Sequence, residues 1–537
     1  MPSGLGARNG RRNERPAGGL EEHREHGLYS TFVPVLRSVL AVLLGAVACC
    51  GVLAITDSPG PGLDPDTMSY IGAAESLVRH GTLRIPAAHW ADSDSTEALG
   101  HFPPGYPVAI ALPVALGAPP VQAARGIEAA AAFATVALAV WLVGAVATPG
   151  AGVLAGVVLL VTPSFAFDHW QVISEPLCLA LLMATLALMT FSRRPWTYGI
   201  AAAAAGIVRY AAFASTGAAV LWAYGLGGSH RERLRRAAIA AAPTVVVQVA
   251  WWLRAAAESA ELRSVGLRGG LGPSFRELAG TLGGWLAPSV PVAWAQALVA
   301  LAVGGVAIAV LAHAARRPAL APAGLGAPLP RFLAAAGLLA ACYAALVLFS
   351  RLFVDVSIPF DQRLLSPFIV LAEVAVVAAF AAGWRGWGGR WRAAVAVAWA
   401  LWIAGSARAT VQAVTDALDG GWGYASDDWR TSRLGDWLRG PGRGAAIFSN
   451  NTATAYFLTC RPSRGVPATL DADSVSAFGR VLRERRAVLV RFPFDLETGA
   501  PPDSLANRLG LIEMARFPEG VIWAPRGVRR PAGQRGG

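Results

Sequence analysis

Long apolar runs separated by short arginine-bearing gaps dominate the chain. The first, Ser38–Thr56, carries no charge. It is long enough to cross a bilayer core of ~30 Å at about 20 residues per helix. Further runs are Ala129–Phe167, Pro176–Ser192, Pro195–Val208, Tyr210–Gly228, Ala237–Leu253, Leu278–Ala315, Phe332–Ser350, Leu364–Trp384 and Ala393–Ala407. Thr148-Pro149-Gly150 breaks Ala129–Phe167 in two, and Pro288 and Pro291 mark the start of the span inside Leu278–Ala315. The pattern predicts an α-helical integral membrane protein with about eleven transmembrane helices. Gly105–Pro119 is apolar but short and proline-flanked, and reads as an interfacial or re-entrant helix.

The ends of the chain read differently. Residues 1–32 are polar and arginine-rich without an apolar period, which predicts a disordered cytoplasmic segment. The membrane domain then covers 33–410, with a first outer loop at 57–119. From 411 to 525 apolar content falls, and strand-like runs (Ala445–Ser449, Ala487–Arg491, Val521–Ala524) alternate with helical ones (Leu434–Leu438, Ala453–Leu458, Val475–Leu482). This predicts a small extracytoplasmic α/β domain. Residues 526–537 read as a disordered tail.

Orientation follows from arginine. If Gly105–Pro119 does not cross, the clusters Arg193-Arg194, Arg231 to Arg236, Arg316-Arg317 with Arg331, and Arg385, Arg390 and Arg392 all fall on one side, the cytoplasmic one. Trp196–Gly227 then divides into two short spans meeting at Arg209 on the outer side. That side collects Asp64, Asp66, Arg125, Glu128, Asp168, His169, Glu175, Arg209, Arg351, Asp355, Asp361 and Arg363. The expected location is the inner (plasma) membrane, with the N-terminus inside and the C-terminal domain outside.

Composition sharpens this picture. Only 15% of the 537 residues are charged and the mean hydropathy is +0.46, against about 25% charged in soluble chains. The net charge is +12 with no lysine. In a membrane protein that excess is an orientation signal rather than a nucleic-acid footprint. Five cysteines show no CxxC and no metal-ligand spacing.

The chemistry concentrates in Leu63–Gly81, LDPDTMSYIGAAESLVRHG, just beyond the first span. It opens on Asp64 and Asp66 and continues as a helix whose Ile71, Ala74, Leu77 and Val78 form a stripe suited to lipid. Asp66 and Tyr70 are one turn apart on one face. LDPDT is also good turn and N-cap chemistry. Asp64-Pro65-Asp66 has the spacing of a D-x-D metal pair, so a divalent metal stays as an alternative and no metal ligand is assigned. His101 and Tyr106 follow in HFPPGYP, and Glu373 lies in the middle of a span. No GxGxxG after a strand and no P-loop occurs.

Four stretches together resemble the GT-C superfamily of membrane glycosyltransferases, in particular the branch with protein mannosyltransferases and aminoarabinose transferases. They are LDPDTMSYIGAAESLVRHG, HFPPGYPVAIALPVALG, DHWQVISEPLCLALL and FDQRLLSPF. Arg209-Tyr210 between two short spans also fits. The likeness covers roughly residues 35–410. It implies transfer of a sugar, with inversion, from a polyprenyl-phosphate donor to an extracytoplasmic lipid, glycan or protein acceptor. It places the general base on Asp66, with Asp64 as competitor and Glu175 as a further acid. The donor phosphate would meet Arg209, Arg125 or Arg363, since guanidinium matches phosphate geometry. Tyr70, His101, Tyr106, Asp168, Tyr210 and Asp361 are the remaining candidates for the substrate site. The expected partners are the lipid-linked donor, the envelope acceptor and membrane lipid; no cofactor is assigned. The rival reading is a transporter or flippase, for which inverted repeats and mid-membrane polar breaks are expected instead. Cysteines introduced beside Asp66 and Glu175 are expected to react with an impermeant thiol reagent from the same, outer side of intact cells. Reaction from opposite sides would dissolve the polar centre.

Overall fold

A computed structural model describes residues 19–258, 271–288, 290, 293–316, 328–354, 359–493 and 499–527. The expectations for residues 1–18 and 528–537, and for Pro291, Arg317 and Asp355, lie outside the described residues. Among the described residues, each apolar run named above contains one or more helices. Among the described residues, six helices are long and apolar enough to cross a membrane, or seven if the bent pair Pro149–Val161 and Pro163–His169 is one span. The expected count of about eleven is not confirmed. Glu175–Phe191, Pro195–Val208 and Phe213–Gly225 stop after 17, 14 and 13 residues. A 14-residue helix is only ~21 Å long at 1.5 Å per residue.

Proline and small polar caps set these boundaries. Pro120, Pro149, Pro163, Pro176 and Pro195 sit in the first turn of their helices, where a missing N–H costs nothing. Thr148 accepts a hydrogen bond from the Ala151 amide and caps its helix. At Thr162-Pro163 the residue before proline is extended (φ −74°, ψ 119°), and the chain bends by 67°. The short helix Pro163–His169 thereby turns its polar end towards the start of Glu175–Phe191.

Small residues let these helices approach closely. A Cβ on Gly152 would overlap the carbonyl oxygen of Val140, and one on Gly45 would lie 2.9 Å from that of Phe133. The main core joins Ala41, Ala48 and Val52 of the first helix to Val136, Val140, Leu142, Val158, Leu159, Met183, Leu186 and Phe332.

Three expectations are corrected. The first helix runs from Gly19 to Ile55, so residues 19–32 are helical rather than disordered; its start, GLEEHREH, is charged but rich in good helix formers. The last membrane helix continues through 411 to Gly420, because ATVQAVTDAL keeps a helical period past the loss of hydropathy. The stripe on Pro65–His80 does not lie on lipid. Ile71 and Ala74 are buried against Tyr106, Ile110, Val172, Cys178, Ala205 and Val208, and only Val78 stays open (39% exposed). The short helices beneath it leave apolar protein surface for that stripe to cover. Gly105–Ala115 is a single short helix with Ile110 buried and Leu112 and Leu116 exposed.

Beyond Gly420 the chain forms an α/β unit. Its sheet has the order Ala87–Ala88, Ser463–Arg464, Ile447–Ser449, Val488–Arg491, Gly520–Ala524, Ile512–Phe517. The first four strands are parallel and the last two pair antiparallel. One edge strand, Ala87–Ala88, therefore comes from the first loop. Arg464 donates to the carbonyls of Ser93 and Asp94, and Arg485 to that of Asp92, which fixes the loop further. Helices Arg433–Arg439, Thr452–Thr459 and Ala472–Glu484 match the expected segments; Pro502–Leu509 is additional.

Gly152→Ala is expected to lower the thermal midpoint of the detergent-solubilised protein by several degrees, as overpacking costs about 1–3 kcal/mol. Gly150→Ala, where a Cβ meets nothing within 4 Å, is expected to leave it unchanged. Equal midpoints for both variants would remove the close approach as a constraint.

Candidate functional site

Asp64 and Asp66 are placed by the start of helix Pro65–His80. Asp64 is its N-cap: Oδ1 accepts from the Thr67 amide at 3.0 Å, and Thr67 Oγ1 accepts from the Asp64 amide at 3.0 Å, closing a capping box. Thr67 Oγ1 also donates to the carbonyl of Val172 at 2.9 Å, tying the cap to the segment before Glu175. Asp66 follows in the first turn, where a carboxylate suits the helix dipole. Glu175 opens its own helix and is fully buried.

Two arginines gather these acids. Arg363 uses all three nitrogens: Nη1 to Asp64 at 2.7 Å, Nη2 to Asp66 at 3.1 Å and Nε to Glu175 at 2.8 Å. Arg209, at the break between the two short helices, reaches Glu175 at 2.7 Å. Residues far apart in sequence thus meet in one cluster, three carboxylates facing two guanidinium groups. With all five ionised, one negative charge is in surplus. Burial and the neighbouring Asp66 carboxylate push the Asp64 carboxyl up to about 7, more than Arg363 lowers it. Burial also raises Asp361, which caps helix Gln362–Gly383 by accepting from the Leu364 amide at 2.8 Å.

The rest of the expected set divides. Tyr70 is buried and donates to Ser174 Oγ at 3.3 Å; Ser174 bonds Glu175 and lies 3.5 Å from Arg209 Nη1. Tyr106, also buried, packs edge-on against Tyr70 with centroids 5.0 Å apart and donates to Glu128. Asp168 is fully buried in helix Pro163–His169. Tyr210 donates to the Gly100 carbonyl and accepts from Trp251 Nε1, and His101 sits exposed against Phe102. Arg125 is not brought to the cluster. It donates to the Leu53 carbonyl and Thr56 Oγ1 and pairs with Asp57 at 3.2 Å, so it closes the C-terminal end of the first helix. Asp361 and Arg363 do not serve as a mutual ion pair, since Asp361 is spent on its cap and Arg363 on the acids. Glu373 accepts from Thr162 and Trp285 at 2.7 and 2.8 Å and joins the helix break to two neighbouring helices.

Sequence reasoning missed Thr67, Ser174 and residues 422–424, whose backbone bonds to Leu63. Thr67 had a signal, three residues after an Asp at a helix start; the others have none of local kind. The Nε of Arg209 is buried without a hydrogen-bond partner. Among the described residues no group of three or more His, Cys, Asp or Glu side chains is arranged to hold a metal ion.

No family model matches the chain, and no curated protein matches it in sequence. Solved structures do match in fold. ArnT from Cupriavidus metallidurans bound to undecaprenyl phosphate superposes with a TM-score of 0.58 at 16% identity, over 91% of this chain and 99% of that one. The Archaeoglobus fulgidus oligosaccharyltransferase tethered with an acceptor peptide gives 0.51 at 12% identity, over 87% and 70% of the two chains. AglB from the same organism, in complex with an inhibitory peptide and a dolichol-phosphate, gives 0.50 at 13% identity and the same coverage.

The raised carboxyl at Asp64 has a signed consequence. Between an unfolded value of about 3.9 and the folded value of about 7, the folded protein holds a proton that the unfolded chain has lost. Stability contributed there falls as pH rises through that window and levels off above it. Asp64→Asn keeps an N-cap acceptor and removes the titration. Its thermal midpoint is expected to gain on that of the natural protein between about pH 4 and pH 7. Parallel curves would show that Asp64 is ionised throughout.

Proposed function

We propose that this chain, which has the fold of the GT-C membrane glycosyltransferases, transfers a sugar from a polyprenyl-phosphate donor to an envelope acceptor at the outer face of the membrane. The observation that carries the reading is the cluster itself. Acids from two separate loops and arginines from two others converge on one point at the ends of membrane helices. The fold's neighbours add weight, one being solved with undecaprenyl phosphate and another with a dolichol-phosphate.

The reaction assigns a role to each group. Asp66, the more open of the paired acids with 33% of its side chain exposed, takes the proton from the acceptor hydroxyl as its oxygen attacks the anomeric carbon. The bond from that carbon to the phosphate oxygen breaks, and the carrier phosphate leaves with the electron pair. Arg209 meets the phosphate, because its buried Nε is still free to donate. Arg363 holds the acids in place and offsets their mutual repulsion, a task that preorganises charge before the substrates arrive. Glu175 orients both guanidinium groups. Lipid anchors the donor, so the protein needs only a rim-level site for its head.

Asp66→Asn is expected to cut sugar transfer from a carrier-linked donor by about 10²–10⁴-fold, measured on the purified protein in nanodiscs. Arg209→Gln is expected to raise the donor KM most. In a deletion strain, mass spectrometry is expected to find the carrier-linked sugar accumulating and one envelope glycan lost. Neither change in that strain would remove the transferase reading.

A further inference from the structure

Gly62 and Leu63 run as the middle line of three. On one side the Gly62 amide donates to the Trp170 carbonyl at 2.8 Å, and the Val172 amide donates to Gly62 at 2.9 Å. On the other side the Leu63 amide donates to the Trp422 carbonyl at 3.3 Å, and the Tyr424 amide donates to the Leu63 carbonyl at 2.8 Å. Asp64 is the next residue, and Asp66 lies one peptide unit beyond Pro65. The strap 422–424 is the first chain beyond the last membrane helix, so the C-terminal unit grips the acid turn from the side opposite to Glu175.

That grip depends on one residue. Gly423 has φ +59°, the left-handed region, and a Cβ there would overlap the carbonyl oxygen of Leu63. Its neighbours anchor it. Tyr424 OH accepts from Thr454 Oγ1 at 2.9 Å and reaches Asn451 Oδ1 at 3.4 Å, and its ring stacks on Phe457 at 4.9 Å. Phe457 in turn packs on the helix that Asp64 caps. Trp422 closes over Gly62, where a Cβ would come within 3.0 Å of its ring.

We infer that Gly423 is a positioning residue for Asp64 and Asp66, and that the C-terminal unit takes part in the reaction by holding the acid turn through the strap 422–424. The inference rests on the transferase reading for what the acids do there, but not for where they are held. The base must lie within hydrogen-bond reach of the acceptor hydroxyl, and a displacement of about 1 Å can cost up to about a hundredfold in rate. Arg209, on another element, is untouched by the strap. A displaced acid turn therefore lowers turnover and spares donor binding.

The test uses the full-length protein in nanodiscs. Gly423→Ala is expected to lower kcat by about tenfold or more and leave the donor KM within about threefold. Gly444→Ala, a glycine of the same unit with nothing within 4 Å of a Cβ, is expected to match the natural protein. A general loss of the C-terminal fold would instead lower KM-linked binding and yield together. If Gly423→Ala is not recovered from membranes, Tyr424→Ala carries the test, with a kcat loss of about threefold or more expected. A second readout needs no transfer. With the exposed Cys50 and Cys460 replaced by Ser, the alkylation rate of Asp66→Cys by a water-soluble maleimide is expected to change about tenfold when Gly423→Ala is added. A labelling rate that does not respond overturns the inference, whatever the kinetics. A rate that responds, while the natural protein with Asp66 intact transfers no sugar, keeps the positioning role and removes the transferase reading.

Discussion

One guanidinium holds the centre of this molecule together. Arg363 binds Asp64, Asp66 and Glu175 through separate nitrogens, and these belong to the first loop and the start of a later membrane helix. Three carboxylates drawn from water and set side by side repel one another, and each carries a desolvation cost of several kcal/mol. A planar, always-charged side chain with a fixed fork of donors offsets this where a lysine point charge would reach one partner well. Remove the guanidinium and the acids have no reason to share a site. The capping box at Asp64, the Ser174 bridge and the second arginine all refine a geometry that Arg363 makes affordable.

The free protein is therefore already occupied with itself. Each Arg363 nitrogen already faces a carboxylate, whereas the Arg209 Nε is buried without a hydrogen-bond partner. The structure thus distinguishes two of the three arginines that the sequence alone left pooled: Arg363 touches three acids and Arg209 one of them, Glu175. Burial, and after it the neighbouring Asp66 carboxylate, raises the Asp64 carboxyl to about 7, while Asp66 is the more open to solvent of the two.

Much of this was legible before any coordinates. The apolar runs and arginine clusters placed Asp64, Asp66, Glu175, Arg209 and Arg363 on one side, and they meet. Sidedness is a one-dimensional property that hydropathy carries well. Radial position is not, which is why Arg125 stood among the candidates and proves to close the end of the first helix instead. The short helices were legible too, since Pro176–Ser192 and Pro195–Val208 nearly coincide with the helices Glu175–Phe191 and Pro195–Val208; which of them cross the membrane is what length alone does not tell. The strands of two residues, and the pairing of Leu63 with Gly423, left no period to read. Such contacts join residues hundreds of positions apart, and nothing local records them.

The edge strand Ala87–Ala88 has a consequence for how the chain is made. Synthesis delivers it long before Ser463–Arg464, its partner, has left the ribosome. During that interval it has no sheet to join, and the later unit, once translated, shows an open ladder of amides and carbonyls until the loop is fitted against it. Unpaired edges invite foreign strands. Completion of the sheet thus reports that both ends of a many-span protein have reached the same side of the membrane, and a chain threaded wrongly would advertise its error as an uncovered edge.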